Sequence, residues 1–231
     1  MASSKVMPDT GFVDMVIEVF KMLRASWEAF RLNASSFIFL IFIPWVVTFA
    51  CLILSFGASF TGNIDDKIHV NVPWLIVTVA LLILVLIFFM PAVTYTQLIS
   101  AKGKRVKALD ALKNSRKFVL RYLALNILLG LGIIFGLILL IIPGLLIAFF
   151  LSFSSYVLID KNKGINDTFK LCYKMVRANW KFVAAYLVVE VIINMLMSIT
   201  GRIPVMGLIV YAVLFFGYFC LPALVYTKIS K

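Results

Sequence analysis

Six long apolar stretches divide the chain and are separated by short polar gaps. The stretches cover residues 37–59, 73–98, 123–142, 143–158, 182–200 and 204–226. Most of them approach the ~20 residues that an α-helix needs to cross the hydrocarbon core of a bilayer. The pattern predicts an all-α fold, a polytopic membrane helical bundle with six transmembrane helices. All 231 residues are expected to form one integral-membrane domain.

Lysine and arginine are concentrated in alternate gaps. From the N-terminus to the C-terminus the gaps contain 4, 1, 8, 0, 6, 1 and 2 of these residues. Basic segments beside a membrane span are preferentially retained on the cytoplasmic side. The alternation therefore predicts a multi-pass protein of the plasma (inner) membrane with both termini in the cytoplasm.

Three of the basic gaps also contain amphipathic segments. Apolar residues recur at spacings of three and four from Phe12 to Phe30, from Leu109 to Tyr122 and from Ile165 to Trp180. This spacing places an apolar stripe along one face of a helix. Lysine and arginine on the opposite face are typical of helices that lie in the membrane interface.

The three amphipathic segments superimpose at offsets of 89 and 57 residues. In this register Ser26, Ser115 and Cys172 coincide, and Asn33 coincides with Asn179. Each segment leads into a pair of apolar stretches. The chain is therefore predicted to contain three repeats of an interfacial helix plus a transmembrane hairpin, with pseudo-threefold packing about the membrane normal. The repeats cover approximately residues 11–99, 104–158 and 163–227.

The third and fourth stretches leave two arrangements open. Residues 123–158 are uncharged, and their one clear break is Pro143-Gly144. Either a tight hairpin at this pair joins two full spans, or the segment forms a re-entrant pair of half-helices that needs surrounding protein. Gly132 and Gly136 have the spacing for close helix packing, which we expect to be against a neighbouring span rather than a second molecule.

Composition narrows the expected partners. The chain is 63% hydrophobic and carries a net charge of +12. A soluble protein of this size could not bury so much apolar surface. Basic residues beside a membrane favour anionic lipid head groups over nucleic acid. The residues predicted to contact such lipid are Lys102, Lys104, Arg105, Lys107, Arg116, Lys117 and Arg121.

Glu190 is the one charged residue inside the six stretches. Tyr186 precedes it by four residues, and Asn194 and Ser198 follow it by four and eight, so all four share a helix face. One interpretation is a polar track for an ion, a proton or a lipid head group. The other is a protonated carboxyl group that is hydrogen-bonded inside the bundle.

The sequence predicts no catalytic residue, cofactor or metal. It lacks paired carboxylates and a serine–histidine arrangement. The three cysteines, Cys51, Cys172 and Cys220, have no metal-ligand spacing, and His69 is the sole histidine.

Residues 140–183 resemble a known group of proteins. The matching features are Pro143-Gly144, the region from Phe153 to Tyr156 and the helix that ends near Trp180. They are similar to uncharacterised prokaryotic multi-span proteins related to the membrane domain of some glycerophosphoryl diester phosphodiesterases. The resemblance implies a helical membrane fold. It does not imply the phosphodiesterase reaction, because those enzymes perform it in a separate soluble barrel.

The sequence favours a non-enzymatic integral membrane protein with a structural or lipid-interacting role. The alternative is a small transporter or permease that uses the polar face around Glu190. A cavity that reaches Glu190 would favour transport, whereas a filled bundle would favour the scaffold.

Overall fold

A computed structural model describes residues 11–57, 72–200 and 214–230. These residues are almost entirely helical and contain no strand, so the all-α prediction is confirmed for this part of the chain. The helices are α1 (Phe12–Leu32), α2 (Ala34–Gly57), α3 (Val72–Ala101), α4 (Ala108–Ser115), α5 (Val119–Leu139), α6 (Ile141–Phe150), α7 (Ser154–Lys161), α8 (Ile165–Ala178), α9 (Trp180–Thr200) and α10 (Leu221–Ile229). A 3-10 turn covers Arg116–Phe118, and residues 214–218 form a helical turn before α10.

Several of these helices have the length and hydropathy of membrane spans. Within the described ranges, four stretches meet that criterion: Ala34–Cys51, Ala108–Leu139, Ile141–Lys161 and Trp180–Ile199. Ile87–Ala101 and Leu214–Ile229 are apolar but shorter. Residues 204–213 of the sixth predicted stretch lie outside the described residues. The helices therefore fit a membrane-embedded protein, and the count of six spans stays a prediction.

The turn between α5 and α6 lies at Leu140, which is three residues before the predicted break. Leu140 is extended, with φ −162° and ψ 135°. Pro143 instead occupies the first turn of α6, where backbone N–H groups lack an acceptor within the helix and proline is tolerated. The fourth predicted stretch began at Pro143, so the structure agrees that this proline lies at a helix start, and α6 begins two residues earlier than predicted.

Two glycines explain why α5 and α6 approach so closely. A Cβ atom added to Gly136 would lie 2.7 Å from the Cα atom of Gly144. A Cβ on Gly132 would lie 3.8 Å from a methyl carbon of Ile147, which is ordinary contact. The glycine spacing therefore packs α5 against its neighbour in the chain, as predicted.

The fourth predicted stretch consists of two helices rather than one. A turn at residues 151–153 separates α6 from α7. The Cys172 thiol donates to the carbonyl oxygen of Phe150 at 3.4 Å, so part of the backbone freed by this break has a partner in α8.

Helices α1, α4 and α8 have similar contacts. Helix α4 packs against α2 and α3, and α8 packs against α5, α6 and α7. Helix α1 is the first in the chain and packs against α9 and α10, which lie near the end of the chain. It also contacts α3. Each of these three helices therefore packs against at least two helices of the apolar stretches.

The main core lies where α1, α3, α7, α8, α9 and α10 meet. Its largest side chains with almost no exposed surface include Tyr226, Phe153 and Phe182. The turn between α5 and α6 is the opposite case, since Leu139 is 77% exposed and Ile142 is 70% exposed. Apolar side chains with this exposure fit contact with lipid rather than with water.

Candidate functional site

The polar face of α9 begins inside the protein and ends at its surface. Tyr186 is buried, Glu190 is half-buried, and Asn194 and Ser198 are exposed. The structure therefore places all four predicted residues along one path that leads outward from the core.

The described hydrogen-bond partners of Glu190 are neutral. The Tyr218 hydroxyl donates to Glu190 Oε1 at 2.8 Å, and the Tyr186 hydroxyl also forms a side-chain hydrogen bond with Glu190. Asn194 Nδ2 donates to the main-chain carbonyl oxygen of Glu190 at 2.8 Å. We call Tyr186, Glu190, Asn194 and Tyr218 the Glu190 cluster. No described lysine or arginine forms an ion pair with this carboxylate.

A cavity of about 570 Å³ adjoins the Glu190 cluster. It is a shallow depression that is open over most of its extent, and its described walls are mostly apolar. Its lining residues in the described part of the chain belong to α9: Leu187, Glu190, Val191, Asn194, Met195 and Ser198. Val191 and Met195 are 53% and 62% exposed, so the mouth of the cavity lies on the outer, lipid-facing surface of the helix.

Tyr218 was not among the site residues predicted from the sequence. Its hydroxyl reaches Glu190 across 28 positions of the chain. A tyrosine inside an apolar stretch is a signal in principle, because buried hydroxyl groups need partners. Nothing in the helical periodicity says that residue 218 faces α9.

The seven residues predicted to contact lipid are all exposed, and we call them the basic surface. Lys102 forms an ion pair with Asp160. Arg121 Nη1 donates to Asn162 Oδ1 at 3.3 Å. The other members form no ion pair with a described residue, so most of this positive charge is not neutralised within that part of the protein.

Long-range contacts bring the basic segments to one end of the bundle. The Lys102–Asp160 pair joins the segment after α3 to the end of α7. Lys228 forms an ion pair with Glu18, which joins the described C-terminal end to α1. These segments come from alternate gaps of the sequence, and the side of the membrane on which they lie stays a prediction.

Asp160 is enclosed by donors. Its carboxylate accepts from Lys102, from Lys161 Nζ at 3.1 Å and from the Tyr226 hydroxyl at 2.8 Å. Its side chain is 9% exposed, so α7, α10 and the end of α3 are fastened together in a nearly closed environment.

A series of contacts, one ring stack followed by hydrogen bonds, continues from Tyr226 into the core. The Tyr226 ring stacks on Tyr156 with 5.8 Å between centroids. The Tyr156 hydroxyl donates to Gln97 Oε1 at 2.8 Å, and Gln97 Nε2 donates to the Phe219 carbonyl oxygen at 2.9 Å. We call Asp160, Tyr226, Tyr156 and Gln97 the Asp160 network.

Asn33 fastens the segment between α3 and α4. Its Nδ2 atom donates to Ser100 Oγ at 2.8 Å and to the Lys104 carbonyl oxygen at 2.9 Å. Its Oδ1 atom accepts from the Val106 main-chain N–H at 2.7 Å. The side chain of Asn33 therefore fixes the backbone that presents the first residues of the basic surface.

The described residues contain no group of three histidine, cysteine, aspartate or glutamate side chains that could hold a metal ion. His69 lies outside the described ranges. Cys51, Cys172 and Cys220 form no disulfide bond.

The sequence pattern of an uncharacterised protein family, UPF0259, matches residues 67–221, about two thirds of the chain. The chain belongs to this family. The match includes α9, the Glu190 cluster and the whole basic surface, whereas α1 precedes it.

A curated relative supports the assignment to a membrane protein. The "UPF0259 membrane protein" of Pectobacterium carotovorum subsp. carotovorum (strain PC1) is 33% identical over 110 residues. The alignment covers 47% of this chain and 44% of the relative, so it spans less than half of either protein. No solved structure matches the chain.

Membership in UPF0259 agrees with the predicted class, an uncharacterised prokaryotic membrane protein. The predicted relationship to the membrane domain of the phosphodiesterases finds no support in these matches. That part of the resemblance stays a prediction.

Proposed function

We propose that this UPF0259 protein is a non-enzymatic membrane protein that binds anionic lipid head groups through its basic surface. The observation that carries the proposal is the exposure of all seven predicted cations at one end of the bundle. Of these seven, Lys102 alone forms an ion pair with an acidic residue in the described ranges. Each basic residue near an anionic membrane surface contributes about 1 kcal/mol of attraction.

The proposed topology has six spans and three repeats in the plasma (inner) membrane. Two observations support it. Helices α4 and α8 pack against the helices of the two apolar stretches that precede them, and α1 packs against the helices of the last two. In the repeat register, Ser26, Ser115 and Cys172 are all almost completely buried.

The register also extends to the backbone at two of the three junctions. Asn33 follows α1 with φ −125° and ψ 27°, and Asn179 follows α8 with φ −122° and ψ 30°. Reporter proteins that are active on one side of the membrane, fused to Met1 and Lys231, test the topology. Both fusions should report the cytoplasm, and reporters on opposite sides would reject six spans.

The lipid proposal is tested with two double variants of the full chain that lose the same charge. Lys104→Gln with Arg105→Gln removes exposed cations of the basic surface. Arg24→Gln with Lys228→Gln is the matched control, because these cations already pair with Glu28 and Glu18. The measurement is the amount of phosphatidylglycerol that co-purifies from mixed-lipid nanodiscs. The first variant should lose bound lipid and the control should not; equal losses would contradict the proposal.

A second function, a small transporter or permease, is favoured by the cavity beside Glu190. Polar residues inside a membrane span are costly, and they are often found along pathways for ions or substrates. In this chain the half-buried carboxylate adjoins about 570 Å³ of space rather than a filled core. This function uses a different region from the basic surface, so the two proposals can be tested separately.

A further inference from the structure

We infer that the cavity beside Glu190 binds a hydrophobic organic cation that enters from the surrounding lipid. The inference rests on the second proposed function, because it gives the ligand class of the same cavity.

The charge of the site favours a cation. Glu190 is the one charged residue within α9 (Trp180–Thr200) apart from Lys181 at the helix start. Its described partners Tyr186, Tyr218 and Asn194 are neutral. A carboxylate in an apolar environment gains most from a partner of opposite charge, because the interaction between charges strengthens as the dielectric constant falls.

The walls of the cavity favour a ligand with an apolar body. Leu187, Val191 and Met195 contribute most of the lining, and polar atoms come from Glu190, Asn194 and Ser198. The volume of about 570 Å³ falls in the range of pockets that hold drug-sized molecules. Burial of hydrocarbon in such a pocket adds to affinity without further hydrogen bonds.

An inorganic cation fits the site less well. Calcium takes six to eight oxygen ligands, and magnesium requires a near-octahedral set. The described residues of the lining offer the Glu190 carboxylate, one side-chain amide and one hydroxyl group. A small ion would lose more hydration than these groups replace, whereas an organic cation with delocalised or shielded charge is weakly hydrated.

The position of the opening favours entry from the bilayer. The exposed residues at the cavity, Val191 and Met195, lie on the same outer surface as Val188 and Ile192 of α9. This surface is apolar, so in a membrane-embedded protein the cavity adjoins lipid chains rather than water. A ligand that partitions into the membrane reaches the site directly.

The experiment measures binding of tetraphenylphosphonium to the full chain in nanodiscs made of phosphatidylcholine. This lipid has no net charge and therefore does not itself attract the cationic probe. Wild type should bind the probe saturably. Glu190→Gln should weaken binding at least about tenfold, because one partner of a charge pair is lost. Glu28→Gln is the matched control, since this exposed carboxylate on α1 pairs with Arg24 at 3.6 Å and should leave binding unchanged.

A second variant keeps the charge and fills the space. Val191→Trp should abolish binding although Glu190 is intact, and the exposure of Val191 allows the protein to fold. Triphenylphosphine oxide, a neutral compound of similar shape, should not compete with the probe. Equal binding by wild type and by both variants, or competition by the neutral compound, would overturn the inference.

Transport is measured separately, as accumulation of the probe in proteoliposomes. Accumulation that Glu190→Gln removes supports both the cavity assignment and the transporter. Saturable binding without accumulation supports the cavity and rejects the transporter.

Discussion

The Asp160 network and the Glu190 cluster both combine a carboxylate with tyrosine hydroxyls, but protein surrounds them to different extents. Asp160 accepts from Lys102, Lys161 and Tyr226, and its side chain is 9% exposed. Glu190 has neutral partners and adjoins a cavity of about 570 Å³. The first region is closed by three donors, and the second has space on one side.

The extent of enclosure determines whether a polar group contributes mainly to stability or is available for binding a ligand. A buried polar group that has all its partners is expensive to disturb, because each partner left behind loses its hydrogen bond without gaining water. A polar group beside an open cavity can exchange one partner for another. We therefore expect substitutions in enclosed hydrogen-bonded regions such as the Asp160 network to lower the free energy of unfolding, and substitutions at Glu190 to affect ligand binding.

The largest expected effect is at Asn33. Asn33→Ala removes three hydrogen bonds to Ser100, Lys104 and Val106, and should lower the free energy of unfolding by about 3 kcal/mol. The measurement is an SDS titration of the detergent-solubilised protein. Asn126→Ala is the control, because Asn126 Nδ2 donates to the carbonyl oxygen of Tyr122 within its own helix. The control should cost less than about 1 kcal/mol. Equal losses would show that the hydrogen bonds of Asn33 do not stabilise the segment between α3 and α4.

A smaller effect is expected near the turn between α5 and α6, where the backbones of the two helices are in direct contact. Gly136→Ala places a Cβ atom 2.7 Å from Gly144 Cα, so the two helices must move apart at a cost of about 2 kcal/mol. Gly130→Ala is the matched control in the same helix, because nothing lies within 4 Å of its added Cβ. The control should be neutral or slightly stabilising, since alanine favours helix over glycine. The same SDS titration decides, and a neutral Gly136→Ala would contradict the close contact.

The third prediction compares one tyrosine from each region. Tyr156→Phe leaves the buried Gln97 Oε1 atom without its donor and should cost about 1–2 kcal/mol of unfolding free energy. Tyr218→Phe removes a donor from Glu190 beside the open cavity and should cost less than about 1 kcal/mol. Thermal unfolding in detergent measures both. A larger loss for Tyr218→Phe would reverse the assignment of the closed and open regions.

Helical periodicity was sufficient to predict the polar face of α9. The spacing of Tyr186, Glu190, Asn194 and Ser198 depends on the geometry of one helix, and the structure places all four on the same outward path. The basic surface is exposed, as charged side chains are costly to bury, and its contact with lipid stays a prediction.

Features that join distant segments could not be predicted in this way. Tyr218 reaches Glu190 from another helix, and Asn33 reaches the segment before α4 across about 70 positions of the chain. No local pattern specifies such pairings. The turn was predicted at Pro143-Gly144 and lies at Leu140, because proline is tolerated throughout the first turn of a helix and does not specify the residue at which the helix begins.

The most direct test of the contrast between the two regions is carboxyl labelling with dicyclohexylcarbodiimide, an apolar reagent that enters membranes. The full chain in lipid nanodiscs is treated briefly, digested and mapped by mass spectrometry. Glu190 should carry the label, because its cavity opens toward lipid, and Asp160 should remain unlabelled within its three donors. Labelling of Asp160 at the same rate, or no labelling of Glu190, would contradict the account.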